Sequence, residues 1–566
     1  MNLSSFLHSF MLASALVVGL SFTSHAAADD HKDATQLYHN ANGYTLVGEP
    51  GAEAKLQQFS VLVVSAGKVV AIGDETLIAK HPDAQKIDVK DQTLLPGITD
   101  AHGHVLGLGD YLRQADLREA SSETDAAKRV QQFAQANQDN EWVIGRGWNQ
   151  ELWPSKSFPT KASLDEVVAN RPVVLTRVDA HAVWANSEAL KRAGITATTI
   201  DPDGGEIIRD ANGEPTGVLI DNAMGLVERM IPQADEAQLK ASFNAAFEHL
   251  LALGITGVHD AGISARELKV YRELAETGEL PVRIYGMLAA TEPTLPELLK
   301  QGHINTADDK LSIRSVKVYA DGALGSRGAA LLEPYSDAPN QRGLMVTSEE
   351  DIRALYELII PADFQINIHA IGDRANRVAL DEFERAFPLI GGRALRHRIE
   401  HAQVVHPDDL ARFAELDVIA SMQPTHATSD KNMAEDRLGK ARMEGAYAWQ
   451  TLLDSGAMIA AGSDFPVELA NPFFGVHAAV TRQDRDNQPQ GGWYAHEKMT
   501  VEQALRTFTL DAAYASHQEQ VIGSLEPGKW ADFIIVDQDP FAAQPAILWQ
   551  TNVMATYVAG KLQYQP

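Results

Sequence analysis

Leu95-Pro96-Gly97-Ile98-Thr99-Asp100-Ala101-His102-Gly103-His104 is a short apolar run that ends in two histidines one residue apart. In a β-strand successive side chains alternate between faces, so His102 and His104 project from the same face. Two imidazoles on one face can hold one divalent metal ion. Gly103 between them carries no side chain to crowd the approach. In a chain with 19 histidines this pattern also arises by chance, so its meaning rests on what accompanies it.

Seven further apolar runs follow, each trailed by a stretch with helical character. They are Gly254 to Asp260, Pro281 to Gly286, Ile313 to Tyr319, Phe364 to His369, Leu395 to His401, Val418 to Met422 and Met458 to Asp464. Eight alternating units are the signature of a closed parallel (β/α)8 barrel, an α/β fold. The barrel is expected over residues 96–514, interrupted after its first strand by a large insertion at 110–250. Without the insertion its length is close to the roughly 250 residues typical of such barrels. The insertion is rich in aromatic and turn residues, including Trp142, Trp148, Trp153 and Trp184. Leaving the first strand at its C-terminal end, it emerges on the side where active sites are built. Trp148 and His181 are therefore expected at the pocket mouth.

The two ends of the chain are strand-rich and short of helix. Val61-Leu62-Val63-Val64 and Lys86-Ile87-Asp88-Val89 alternate near the start, as do Asp532 to Asp537 and Val553 to Val558 near the finish. Neither set is large enough to close a core alone. A single composite β-sandwich from residues 29–95 and 515–566 is the economical solution. Residues 1–28 read as a signal peptide: Met11 to Phe22 is too short for a comfortable membrane span, and Ser24-His25-Ala26 is a small-residue cleavage pattern. The segment before it departs from the pattern in lacking Lys and Arg. Export to the periplasm or beyond is the expectation.

The 566 residues carry a formal net charge of −28. That argues against nucleic acid and anionic membranes as partners, because both need basic patches. There are no cysteines, so disulfides and thiolate-bound metals are excluded. Any metal must sit on His, a carboxylate or a modified Lys.

Such residues stand at the ends of the barrel runs. The first ends in His102 and His104, the fourth carries Lys317, the fifth ends in His369, the sixth in His401 and the eighth in Asp464. Strand ends of a barrel are spatial neighbours, so these six side chains converge on one pocket. Neutral nitrogens with anionic oxygens suit two borderline divalent ions, zinc above all. Lys317 lies between Val316 and Val318, and burial lowers an amine's pKa. An uncharged amine can add CO2, and the carbamylated Lys317 would bridge two cations.

Here the chain resembles the amidohydrolase superfamily of metal-dependent hydrolases, in the amidohydrolase-3, YtcJ-like branch related to N-substituted formamide deformylases. The resemblance covers nearly the whole mature chain. It rests on Pro96 to His104, on Lys317 to Arg327, on His369-Ala370-Ile371-Gly372-Asp373-Arg374-Ala375, and on Glu400-His401-Ala402-Gln403. It continues through Gln423-Pro424-Thr425-His426, Gly462-Ser463-Asp464-Phe465-Pro466 and Gly523 to Asp532. The family implies the barrel, the composite sandwich and metal ligation by His102, His104, Lys317, His369, His401 and Asp464. His181-Ala182-Val183-Trp184-Ala185-Asn186-Ser187 resembles a substrate-pocket signature of the branch, which brings in His181 and Asn186.

The activity expected is hydrolysis of an amide-type C–N bond in a small molecule: N-acyl, N-formyl or cyclic. Metal ions acidify a water, and the resulting hydroxide attacks the carbonyl. Asp464 takes the water proton and returns it to the leaving amine, and His426 is placed to hydrogen-bond the developing oxyanion. Arg327 and Arg374 are placed either to grip a substrate carboxylate or to neutralise acids such as Asp321 and Asp373. A single-metal deaminase of the same superfamily, or a relative that binds without catalysis, are the alternatives. A homo-oligomer is left open.

Overall fold

The computed structural model describes residues 35–566 except 52–53, 151–152, 178–181 and 203–204. The signal peptide expected at residues 1–28 lies outside them, as does His181. Eight parallel strands form the barrel: β1 (Ile98–Gly103), β2 (Ile255–Ile263), β3 (Arg283–Ala289), β4 (Leu311–Tyr319), β5 (Gln365–Ala370), β6 (Arg398–His401), β7 (Ile419–Met422) and β8 (Ile459–Ala461). They pair in sequence order from β1 to β8. All eight expected runs are strands, because each is a short apolar stretch between helices that cover the sheet's outer face.

The ring closes between the residues that follow β8 and those of β1. The Asp464 amide donates to the His102 carbonyl at 2.7 Å, and the His104 amide donates to the Phe465 carbonyl at 2.9 Å. The Asp100 carboxylate fastens the same seam, accepting from the Ser463 hydroxyl at 2.7 Å and the Ser463 amide at 3.1 Å. The approach is so close that a Cβ on Gly462 would lie 2.5 Å from the His102 nitrogen. Only glycine fits there.

Both ends of the chain meet beneath the barrel. One sheet runs in the order Lys561–Tyr564, Val553–Val558, Phe533–Val536, Thr93–Pro96, Asn42–Val47, Lys55–Phe59. A second, four-stranded sheet holds Gln36–His39 and Val61–Ser65 at its centre. Tyr38, Leu62, Val64, Leu94, Phe533 and Ile535 share one apolar core between them. Neither end could bury these side chains without the other.

After the Val105–Leu112 helix the insertion builds its own sheet, from Ala115–Asp116 to Pro215–Asp221, around a core that includes Trp148, Trp153 and Trp184. The helix Glu236–Ala252, most of which falls inside the span 110–250, instead buries Leu239, Phe243, Phe247 and Leu250 in the barrel's own core. Among the described residues no helix is long and apolar enough to cross a membrane.

Arg283, at the start of β3, ties barrel to sandwich. Its Nε and Nη2 donate to the Asp532 carboxylate at 2.5 and 3.0 Å, with both side chains buried. The Asp532 carbonyl accepts from the Gly97 amide, one residue before β1. Asp532→Asn leaves the Arg283 charge uncompensated in a dry site. It should destabilise the fold by about 3–5 kcal/mol, visible as a lowered thermal unfolding midpoint.

Candidate metal centre

The six expected ligands meet at the C-terminal end of the barrel. His102 is fully buried. Its Nδ1 contacts the Glu400 carboxylate, and its Nε2 lies 3.0 Å from Lys317 Nζ and 3.7 Å from Asp464 Oδ1. His104 donates from Nδ1 to the Ala261 carbonyl at 2.9 Å and points Nε2 at Asp464 Oδ1, 3.1 Å away. His401 places Nδ1 2.8 Å from Gln423 Oε1. Its ring centre lies 4.6 Å from that of His369 and 4.9 Å from that of His102. In three of the four rings an oxygen acceptor takes Nδ1. The tautomer this selects leaves the Nε2 lone pair free, as a metal ligand requires. The buried Nε2 of His369 has no hydrogen-bond partner and lies 3.5 Å from Asp321 Oδ1.

Electrostatics favour the same protonation states. Burial, then the Lys317 charge, pull His102 down to about 4 against the opposing Glu400. The same two causes pull His369 down to about 3. Burial, reinforced by His369 and His102, holds His401 well below the usual imidazole value. These rings are neutral at pH 7. Burial draws Lys317 down to about 8, with Glu400 and Asp464 opposing. Burial pushes Asp464 up, but the imidazoles of His104, His102 and His401 around it outweigh burial and hold the carboxylate well below its usual range.

Local backbone geometry explains how neighbours in sequence reach one pocket. Along β6 alternation points Arg398 and Glu400 into the barrel and would turn His401 away. His401 escapes this with φ of 75°, and Asp464 leaves β8 with φ of 60°. Left-handed backbone at such residues costs about 1–3 kcal/mol each and concentrates at functional sites.

Glu400 sits inside a buried network. Arg398 contacts it through Nε at 2.8 Å and Nη2 at 3.0 Å. The same guanidinium donates to the Ala101 carbonyl at 2.6 Å and the Ser421 hydroxyl at 2.7 Å, and meets His259 Nδ1 at 2.8 Å. It thereby links strands β1, β2, β6 and β7. Burial raises the Glu400 pKa, but Arg398, His102 and Lys317 overcome it and keep the carboxylate ionised.

His426 lies in the first turn of the helix Pro424–Asp430, beyond β7. Its ring lies nearly parallel to that of His401 at 5.9 Å, and its buried Nε2, without a hydrogen-bond partner, is 3.7 Å from Asp464 Oδ2. The other expected contacts fall elsewhere. Trp148 is fully buried in the insertion's core and donates Nε1 to the Leu175 carbonyl at 2.8 Å, so it does not face the pocket. Asn186 caps the helix Ser187–Arg192. It accepts from the Ala189 and Val173 amides and donates to the Val168 and Arg171 carbonyls, which uses its amide on the insertion's own backbone. Arg327 is paired with Asp337 and Arg374 with Glu349, rather than with Asp321 or Asp373. Asp321 accepts instead from the amides of Ala330, Ile371 and Gly372.

Two residues near the centre escape a reading of strand ends. Glu400 hides beside His401, although alternation from Arg398 marks it as inward-facing. Tyr319 lies two residues beyond Lys317, on the same face of β4.

The donors present fit a divalent cation. The ligand atoms of His102, His401 and Asp464 lie within 4.8 Å of one another, and these neutral nitrogens and an anionic oxygen suit zinc-like ions. A closed parallel barrel with such a cluster at its C-terminal mouth defines the metal-dependent hydrolase class. The amidohydrolase family matches residues 85–564, and the chain belongs to it. The chain is 32% identical to the putative amidohydrolase YtcJ of Bacillus subtilis (strain 168), over 94% of this chain and 99% of that one. It is 26% identical to the N-substituted formamide deformylase of Arthrobacter pascens, over 89% and 94%. An uncharacterized metal-dependent hydrolase from Pyrococcus furiosus superposes with a TM-score of 0.73 at 30% identity, over 90% of this chain and all of that one.

Glu400→Gln removes the anion that orients His102. Loss of an orienting partner typically costs about 10–100-fold in metal affinity. That loss is expected here, measured by chelator competition, and unchanged affinity would show that Glu400 serves only the barrel interior.

Proposed function

We propose that this chain is an exported amidohydrolase that cleaves an amide-type C–N bond, in an N-acyl, N-formyl or cyclic substrate. The observation that carries this reading is the placement of Asp464. One carboxylate oxygen faces His104 at 3.1 Å, and the other faces the unpartnered Nε2 of His426 at 3.7 Å. An ionised carboxylate between metal-ligating imidazoles and a spare one can carry a proton from water to a leaving amine. The name of the Arthrobacter pascens relative adds support for an N-substituted formamide or a related amide.

His102, His104, Lys317, His369, His401 and Asp464 would hold two divalent ions, zinc by the chemistry of the donors. When bound, such ions polarise a carbonyl and lower the pKa of a water. Asp464 accepts the proton of the attacking water and delivers it to the amide nitrogen as the C–N bond breaks. His426 donates to the carbonyl oxygen as it gains charge. The Lys317 amine, neutral above about pH 8, adds to CO2. A new N–C bond forms, one ammonium-type proton leaves to solvent, and an anionic carbamate remains. Its two oxygens would give the site an anionic donor for the two ions, which an amine cannot.

Screening metal-loaded protein against N-acyl amino acids, N-formyl amines and cyclic amides tests the reaction class, and no hydrolysis of any of them would refute it. Two metal ions per chain are expected, whereas one would favour a deaminase. Because its folded pKa is depressed, Lys317 becomes reactive as pH rises through about 8. With 13C-labelled bicarbonate, a carbamate carbon signal should therefore grow from pH 7 to 9 and be absent in Lys317→Ala. Lys317→Ala should also lose most activity, with partial rescue by a short carboxylic acid. Lys317→Arg should stay inactive, because guanidinium remains cationic; a fully active Arg variant would end the carbamate assignment.

A further inference from the structure

We propose that Tyr319 is a further catalytic residue, whose hydroxyl donates a hydrogen bond to the substrate's carbonyl oxygen as that oxygen becomes negative. This rests on the amide-hydrolysis reading above and adds to it a group at the end of β4, whereas His426 follows β7. Tyr319 is the last residue of β4 and pairs in register with His369 on β5. Being two residues beyond Lys317, it stands on the same face of the strand, one step nearer the mouth. Its ring centre lies 5.1 Å from Lys317 Nζ and 5.8 Å from the His369 ring.

The hydroxyl is held on the ligand side of the pocket. It lies against Gly262, where an added Cβ would be 3.1 Å from it. Gly262 has φ of 85° and directly follows Ala261, whose carbonyl holds His104. A side chain at 262 would push the phenol away, so the bare backbone there leaves it room.

The side chain is half-buried, and its hydroxyl has no hydrogen bond to any described residue. Other tyrosines of the barrel spend theirs on the fold. Tyr271 donates to Asp260, Tyr285 to Gln365 at 2.9 Å, Tyr335 to the Ala329 carbonyl at 2.7 Å and Tyr447 to Asp430 at 2.8 Å. Tyr319 keeps its donor for something that enters the pocket. A phenol is protonated at neutral pH. A fixed donor aimed where charge develops stabilises the transition state more than the substrate.

Tyr319→Phe in the full-length, metal-loaded protein tests this, since it removes one oxygen and keeps the ring. The first readout needs no substrate. Methylphosphonate mimics a tetrahedral oxyanion, and its Kd by calorimetry should rise about tenfold in the variant while metal content stays equal. A hydrogen bond to a charged group is of that size. The second readout uses whichever amide the screen identifies. There kcat should fall about a hundredfold with KM within about threefold, the pattern of an interaction made only in the transition state. Equal methylphosphonate affinity in both proteins, or none in either, overturns the role of Tyr319 and leaves the amide assay to stand by itself. If no amide is hydrolysed but methylphosphonate still distinguishes the two proteins, the reaction class falls and the oxyanion contact of Tyr319 stands.

Discussion

The seam between β1 and β8 is the constraint on which the site depends. A parallel sheet of eight strands has two edges until the first and last strands join, and here they join through the residues that carry the chemistry. The Asp464 amide bonds to the His102 carbonyl and the His104 amide to the Phe465 carbonyl. Asp100 grips Ser463 across the same line. Closing the barrel therefore sets the distance from Asp464 to both histidines. The same bonds that satisfy the last open backbone groups also assemble three of the six proposed ligands. This makes the pairing of Thr99-Asp100-Ala101-His102 with Gly462-Ser463-Asp464 intelligible: the carboxylate, the glycine and the hydroxyl are joinery for the ligands beside them.

The interior beneath the site is polar where most barrel cores are packed with aliphatic side chains. Arg398 lies at 0% exposure with Glu400 beside it. Burying such a pair rarely adds net stability over apolar packing. Its use here is orientation, since Glu400 fixes His102 and Arg398 keeps Glu400 ionised. The stabilising work is left to the apolar layer between strands and outer helices.

Much of this was legible in the sequence, and the parts that were not share a cause. The strands could be read because apolar runs punctuated by helical stretches are a local signal. The convergence of His102, Lys317, His369, His401 and Asp464 followed from barrel geometry, since each ends or occupies a strand. Side-chain direction at irregular backbone could not be read. Glu400 and His401 are adjacent, and a regular strand would send them to opposite faces; the positive φ of His401 brings both to the site. Trp148 and Asn186 were drawn to the pocket by motif and by the insertion's exit from β1. Yet an aromatic in a strand packs into the nearest core, and an asparagine before a helix caps it. Arg327 and Arg374 found partners in Asp337 and Glu349, acids brought close only by loops that no periodicity describes.

The composite sandwich also sets an order in time. Thr93–Pro96, the strand that leads into β1, pairs with Phe533–Val536, near the far end of the chain. Leu94 and Leu95 are opposite Ile535 and Ile534 there. While the polypeptide is being made, that strand lacks its central neighbour until almost all of the chain exists. Such distant pairings are slow to form and leave apolar edges open meanwhile. A chain cut short before residue 533 would carry every proposed metal ligand and still lack the floor on which its first strand rests.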